Sequence, residues 1–534
     1  MTRRSKAPRG NGTAKAAESV SGDSKHRAAR GPIRKNASKP LRVMKFGGTS
    51  VADASCIRKV MEIIATAARD SNVVVVVSAM NGVTNKLIEA AARAEAGDRD
   101  AVAAIFKKLC EQHDVAIREL IHSPAARNRL EQKMQELFQG GERLCQGTIL
   151  LRELTLRARD AISSLGERLS APLVAATLVE RGVSSEAIEA TDVVVTDSYH
   201  GAAEPMMDAT RERCEARLRP LLEQGVVPVV TGFIGATSEG VLTTLGRGGS
   251  DYSATILGAA LEADEVIIWK EVDGLLTADP RLVPGACTIP EISYREAAEL
   301  AYFGAKVLHP KTLRAVMQRG IPLSIRNTFA PERPGTKITP ASSSNHQGVK
   351  ALTAISDVSL ITIGGPGILA VPHVLGRTLA TTAAIRADVL LVSQSSAHND
   401  ICLVVSSSIA KRTVEALREE FAHDLAHEAT EHIRVDSTVA IVTVVGQNMR
   451  AIPGIIGRAF GALGQENVNI IAIAQGSSEC NISFVVAEKD AQAALITTHR
   501  EFQLGTPQAF PASGTASRPA SWYFESGGQS AVAD

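Results

Sequence analysis

From Leu41 onward, short apolar runs alternate with longer stretches whose apolar positions recur every three or four residues. Arg42 to Phe46 reads as a buried strand entering a Gly-Gly turn. Asp53 to Arg69 follows as a helix whose inner face carries Ile57, Val60, Met61 and Ile64. Asn72 to Ser78 is β-branched on both faces, the pattern of a strand covered on both sides in a parallel sheet. Residues from about 86 to 160, Glu167 to Arg181, and about 206 to 224 read as helical, with strands at Val226 to Thr231 and Glu265 to Trp269. This alternation predicts an α/β sandwich over 41–345, with Pro331 to Gln347 as a Pro/Ser/Gly-rich linker.

Beyond the linker the chain repeats itself. Gly365, Gly376, Arg377 and Gln394 reappear as Gly446, Gly457, Arg458 and Gln475, each 81 residues later. Each unit reads strand, Gly-rich loop, helix, strand, turn, strand, helix, which suits a split β-α-β module. Two tandem α+β modules are therefore expected, at 346–430 and 431–503. The arm 1–40 and the tail 504–534 hold few large apolar residues to offset the entropy of ordering and read as disordered.

Composition sharpens this picture. Hydrophobic residues make up 45% of the 534, a globular value, while aromatics at 4% leave few rings for stacking on bases, which disfavours nucleic-acid binding. The net charge of +1 conceals an asymmetry: residues 1–40 carry eleven Lys or Arg against Glu18 and Asp23, a net +9, so the remainder carries −8. An Arg-rich, acid-poor arm reads as a disordered tail, an organelle transit peptide or a nucleic-acid arm. Seven scattered cysteines without a C-x-x-C pair fit a reducing compartment. Apolar runs such as Val73 to Val77 are far too short to span a membrane, and no apolar leader follows the first charges. The expectation is a cytoplasmic protein, with organelle import left open.

Three Gly- or charge-rich segments could carry chemistry. In Lys45-Phe46-Gly47-Gly48-Thr49-Ser50, between a strand and a helix, backbone amides, a helix N-terminus and a lysine can meet phosphate. Gly246-Arg247-Gly248-Gly249-Ser250-Asp251 sets an arginine among glycines ahead of a helix expected to start near Tyr252, with Ser250 and Asp251 as caps. Trp269-Lys270-Glu271-Val272-Asp273-Gly274, continuing to Asp279-Pro280-Arg281, follows a strand end, where open α/β sheets bind ligands. Lys306 stands alone in an apolar stretch and suits a phosphate, whereas His309 reads as a packed structural residue and no metal-ligating cluster is evident. Signatures of serine hydrolases, zinc proteases and dinucleotide-binding dehydrogenases are missing.

Taken together, these segments resemble an aspartate kinase of the amino-acid kinase family. Also carrying the resemblance are Ser78 to Asn85, Gly166-Glu167-Arg168-Leu169-Ser170, Gly232-Phe233-Ile234-Gly235 and Phe303 to Pro310, all in family order over about 41–340. The repeats resemble paired ACT modules, which are ferredoxin-like. The implied fold is the three-layer αβα sandwich of the amino-acid kinases followed by two ACT modules.

The resemblance implies ATP with Mg²⁺ as cofactor and L-aspartate as acceptor, giving 4-phospho-L-aspartate for lysine, threonine and methionine synthesis. Lys45 and Lys306 would flank the transferred group, and Asp251 would orient Lys45. Gly47, Gly48, Lys270, Glu271, Asp279 and Arg281 would meet the nucleotide. Ser78, Thr84, Glu167, Arg247 and Ser250 would hold aspartate, Glu167 taking its ammonium and Arg247 a carboxylate. Glu271 departs from the Asp common among relatives. Gly141-Glu142-Arg143-Leu144 duplicates the string around Glu167, and Glu142 is read as a helix-surface residue.

A regulatory lysine or threonine is expected at Gly367, Ile368, Leu369, Gln394, Ser395 and Ser396, in a homodimer or higher homo-oligomer. A chain ending at 534 is expected to be monofunctional, without a fused homoserine dehydrogenase. A non-catalytic amino-acid sensor, or a kinase for another small carboxylate, remains open at this stage.

Overall fold

The computed structural model describes residues 39–304, 307–340, 348–364, 371–394, 400–426, 432–475 and 480–505. The strands of the first region are β1 (Leu41–Phe46), β2 (Asn72–Val77), β3 (Ser185–Ile188), β4 (Val227–Thr231), β5 (Ile234–Ala236), β6 (Leu242–Thr244), β7 (Glu265–Lys270), β8 (Glu291–Ser293), β9 (Leu323–Asn327) and β10 (Thr336–Thr339). Eight of them form one sheet in the order β3-β4-β2-β1-β7-β9-β10-β8, with β5 and β6 as a separate hairpin. Every pairing in that sheet is parallel except β9 with β10.

Two-sided burial explains the β-branched runs. Val73, Val75 and Val77 join Met44, Phe46, Ile267 and Trp269 in a core covered by α1 (Ala54–Asp70), α2 (Val83–Ala96), α3 (Arg99–Leu120), α4 (Pro124–Leu151) and α6 (Leu165–Glu180), with α5 (Leu156–Ser163) running into α6. The alternate residues Val74 and Val76 join Val43, Val266 and Ile268 on the opposite face. There α7 (Met207–Arg217), α8 (Arg219–Glu223), α9 (Gly249–Ala260), α10 (Tyr294–Tyr302) and α11 (Pro310–Arg319) complete the three layers. The expected linker is partly a sheet strand. β10 lies within it because Thr336 to Ile338 pair with Leu323 to Ile325, and Thr336 Oγ1 donates to the Ile289 carbonyl at 2.6 Å.

The C-terminal region has a second, six-stranded sheet. Its elements are β11 (Gly348–Gly364), α12 (Val371–Ala384), β12 (Val389–Gln394), β13 (Ile401–Ser406), α13 (Ser407–Glu420), α14 (Ala422–Ala426), β14 (His432–Gln447), α15 (Ile455–Gln465), β15 (Ala472–Ala474), β16 (Asn481–Ala487) and α16 (Ala491–Glu501). The order is β12-β13-β11-β14-β16-β15. β11 and β14 each serve both repeats. Leu360 to Gly364 pair with Asp436 to His432 beside the first repeat, while Ala351 to Ile355 pair with Val445 to Ile441 beside the second. The second repeat thus takes a strand that precedes the first.

The 81-residue offset is visible in three dimensions. Arg377 Nε donates to Glu420 Oε1 at 2.7 Å and its guanidinium lies 4.3 Å from the Phe421 ring centre. Arg458 repeats this, with Glu501 at 2.8 Å and Phe502 at 4.7 Å. In both repeats the arginine of the first helix closes the end of the second.

Candidate active site

The carboxyl ends of β1, β2, β4 and β7 converge. Lys45 leaves β1 buried, and its ammonium lies 2.6 Å from Asp251 Oδ1. Lys270 at the end of β7 reaches Asp251 Oδ2 at 2.9 Å. One carboxylate therefore lies between two ammoniums, leaving the buried group with a net charge of +1. Burial pushes the Asp251 carboxyl up, but Lys270 and Lys45 outweigh it and hold it down at about 2. Burial draws the Lys45 ammonium below its ordinary range, opposed by Asp251 and assisted by Lys270. Such a site favours an anion.

The turn beyond Lys45 brings bare backbone close to the next strand. A Cβ at Gly48 would lie 3.0 Å from the Ala79 carbonyl, and Gly47 N donates to the Trp269 carbonyl at 3.4 Å. Thr49 Oγ1 donates to Glu271 Oε2 at 2.8 Å, so Glu271 sits at the Gly-Gly turn. Helix α9 starts at Gly249, not near Tyr252. Its N-cap is Gly248 at φ 68°, with no side-chain cap, so Ser250 and Asp251 lie inside the first turn rather than capping it. Asp251 is drawn instead to the lysines, and Ser250 packs so closely on Gly232 that a Cβ there would lie 2.8 Å from the Ser250 Cβ.

A cleft of about 590 Å³ opens beside this cluster. It brings together Lys45, Gly48, Ser78, Thr84, Glu167, Arg247, Ser250 and Asp251. Glu167 enters from the first turn of α6, which approaches the 78–82 loop because residue 166 is glycine: a Cβ there would lie 2.6 Å from the Ala79 Cβ. Burial pushes the Glu167 carboxyl up to about 8, against a hydrogen bond from the Ala79 backbone and the more distant Lys45. Its Oε2 has no hydrogen-bond partner among the described residues. An unpaired, buried carboxyl in a cleft awaits a cationic donor.

Other expected residues fall elsewhere. Asp279 and Arg281 do not line the cleft; Arg281 Nε bonds Asp279 Oδ1 at 2.9 Å, and their neighbours Ala278 and Val283 pack into the core of the second repeat. Gln394 is exposed at the end of the edge strand β12. Lys306, Gly367, Ile368, Leu369, Ser395 and Ser396 lie outside the described residues. Glu142 is on α4 and away from the cleft, while His309 caps α11, its Nδ1 accepting from Lys311 N at 3.2 Å. The cleft also contains Asn81 and Phe233, which lie in the strings quoted above without an assigned role, and Arg159 and Asp160, which no motif marks. Phe233 has φ 70°, a conformation costly for a bulky residue, held by Ser253 Oγ on its N–H at 2.9 Å. Its place in a Gly-Phe-Ile-Gly string was the available signal; for Arg159 and Asp160 there was none.

The family model described as the amino acid kinase family matches residues 40–327, more than half of the chain, and that of the ACT domain matches 361–421 and 442–502. Aspartokinase 1, chloroplastic, of Arabidopsis thaliana is 34% identical over 469 residues, covering 86% of this chain and 80% of its own. The chain belongs to the aspartokinases of the amino acid kinase family. E. coli aspartokinase III in complex with aspartate and ADP superimposes with a TM-score of 0.73 at 30% identity, covering 87% of this aspartokinase-family chain and all of that one. The same enzyme in complex with lysine and aspartate gives 0.70 at 29%, covering 86% and 99%. The fold expected from the motifs is therefore that of solved aspartokinases. The chain spans about half the length of the bifunctional aspartokinase/homoserine dehydrogenases it also matches.

Proposed function

We propose that the chain transfers the γ-phosphoryl group of ATP to the β-carboxylate of L-aspartate, giving 4-phospho-L-aspartate. The observation that carries the reading is the net-positive Lys45–Asp251–Lys270 cluster opening onto the same cleft as Glu167 and Arg247. A β-carboxylate has a reference pKa near 3.9, so it attacks phosphorus already ionised and needs no general base. The work left to the protein is alignment and charge stabilisation. Glu167 takes the ammonium of the acceptor, Arg247 takes its α-carboxylate, and Ser78 and Thr84 orient the remainder.

The close approach of Gly48 to the Ala79 carbonyl favours glycine there, and a bare Gly-Gly turn beside Lys45 ahead of a helix suits a triphosphate. Lys45 and the Gly47-Gly48 turn border the phosphates, Lys306 is assigned to the far side of the transferred group, and Lys270 and Glu271 border the nucleotide. Mg²⁺ bound through ATP oxygens supplies further neutralisation of phosphoryl charge. Phosphorylation of aspartate in a coupled ATP assay tests the reading; turnover only with glutamate, N-acetylglutamate or carbamate refutes it.

Regulation by an end-product amino acid, lysine or threonine, belongs to the same proposal. It is supported by the two ACT modules and by the lysine complex of the E. coli relative. Acting by population shift, the effector prefers an inactive arrangement of the domains. The edge strands β12 and β15 expose Val392 and Ile473, which suits a homo-oligomer assembled through the modules. Sedimentation with and without each amino acid tests this part.

A further inference from the structure

Two guanidiniums line the cleft, Arg247 and Arg159. Arg159 lies on α5 beside Asp160, a residue only 2% exposed whose carboxylate accepts four hydrogen bonds. Thr244 Oγ1 donates at 2.6 Å and Thr244 N at 3.2 Å, Gly201 N at 3.0 Å, and His200 Nδ1 lies at 2.9 Å. These bonds fasten α5 to the end of β6 and to the turn at Gly201. That turn abuts the arginine loop, since a Cβ at Gly246 would lie 2.9 Å from the Gly201 carbonyl. Arg159 Nη2 in turn lies 3.1 Å from where a Gly201 Cβ would stand. Arg159 and Arg247 thus project from one continuous wall.

The charges of the cleft do not cancel. Asp251 is engaged by Lys45 and Lys270, and Asp160 by its four donors. No carboxylate among the described residues pairs with Arg159 or Arg247. What remains is one carboxyl, Glu167, against two guanidiniums on the other wall. The complementary ligand carries one ammonium and presents a carboxylate to a pair of arginines.

We infer that Arg159 is a specificity-determining residue for the acceptor, joining Arg247 on the carboxylate that is not phosphorylated, with Asp160 as its positioning residue. This rests on the proposed aspartate kinase activity. A site built around a carboxylate rejects an analogue lacking it, because its donors are then left unmatched. The telling pair of acceptors is L-aspartate and its α-amide, which keeps the β-carboxylate and the ammonium.

With the full chain, the wild type is expected to prefer aspartate in kcat/KM by about a hundredfold or more. Arg159→Gln should raise the KM for aspartate by about tenfold, change kcat and the KM for ATP by less than about twofold, and leave kcat/KM for the α-amide nearly unaltered. Arg159→Lys, which keeps the charge but not the fork, should fall between. Asp160→Asn should narrow the preference in the same direction; a lowered melting temperature with the preference intact would leave Asp160 only a structural part. An unchanged aspartate KM in Arg159→Gln, or an equal loss with both acceptors, overturns the inference while the kinase reading stands. A wild-type chain that does not phosphorylate aspartate overturns the kinase reading itself and the inference with it.

Discussion

Glu296 of α10 and Lys350 of β11 form an ion pair, Nζ to Oε1 at 3.1 Å, with the two side chains only 0% and 7% exposed. It ties the second sheet to the helix that ends just before Phe303. Thr353 Oγ1, three residues along the same strand, donates to the Phe303 carbonyl at 2.8 Å. The C-terminal region therefore holds α10 at both Glu296 and Phe303, while none of its described residues lines the cleft.

Removing one member of a buried pair leaves the other uncompensated, at a cost of about 3–5 kcal/mol. Lys350→Met should lower stability by this order in denaturant unfolding. Glu296 also closes a capping box with Ser293, its Oε2 accepting from Ser293 N at 2.8 Å. The double variant Lys350→Met with Glu296→Gln should recover most of the loss, because glutamine keeps the cap without the charge.

Lys45→Ala removes the phosphate contact proposed above but leaves Asp251 paired with Lys270. Turnover in the coupled assay is expected to fall by more than about tenfold, ~1.4 kcal/mol in the barrier, with the chain still folded. Unchanged turnover would remove Lys45 from the mechanism.

Glu167 supplies a pH signature. With its carboxyl pushed up to about 8, the empty site is protonated at neutral pH, whereas holding an ammonium requires the ionised form. Aspartate binding should release a proton, and affinity should weaken as pH falls below 8, by at most about tenfold per unit. Calorimetry in buffers of different ionisation enthalpy measures the proton, and Glu167→Gln should abolish the pH dependence. The stability effect has a definite sign: the folded pKa lies above the ordinary glutamate value of about 4.5, so the protonated form's contribution is complete below 4.5 and lost as pH rises through 8. Glu167→Gln should therefore gain stability over the wild type at alkaline pH and not below pH 4.5.

Gly166→Ala forces a methyl group to within 2.6 Å of Ala79 Cβ. Overpacking of this kind costs about 1–3 kcal/mol. Because the displaced helix carries Glu167, the KM for aspartate should rise together with the loss in melting temperature, while the KM for ATP should change less.

Much of this architecture was legible because its causes are local. Continuous apolar runs revealed β1 and β2, a 3.6-residue period revealed α1, and the 81-residue offset revealed the repeats that Arg377 and Arg458 close in the same manner. The short strands β3, β8 and β10 were not, since their identity comes from partners distant in sequence, as Thr336 with Ile325 shows. Lys45 stood out through a Gly-rich string, and Glu167 only through the family resemblance of Gly166 to Ser170. Asp160 did not, because its four donors come from Thr244, Gly201 and His200, and α5 read as part of one long helical stretch. Asp251 was placed correctly near a helix start, but its role as a cap gave way to the stronger pull of two ammoniums.

The shared strands β11 and β14 make the two regulatory modules inseparable as inherited parts. A cut at residue 431 would strip Leu360 to Gly364 of their neighbours on β14 and leave Ala351 to Ile355 without Val445 to Ile441. Neither repeat could be swapped for that of another protein without breaking the sheet of its twin. Exchange between chains would have to carry both modules at once, from Gly348 to the end of α16.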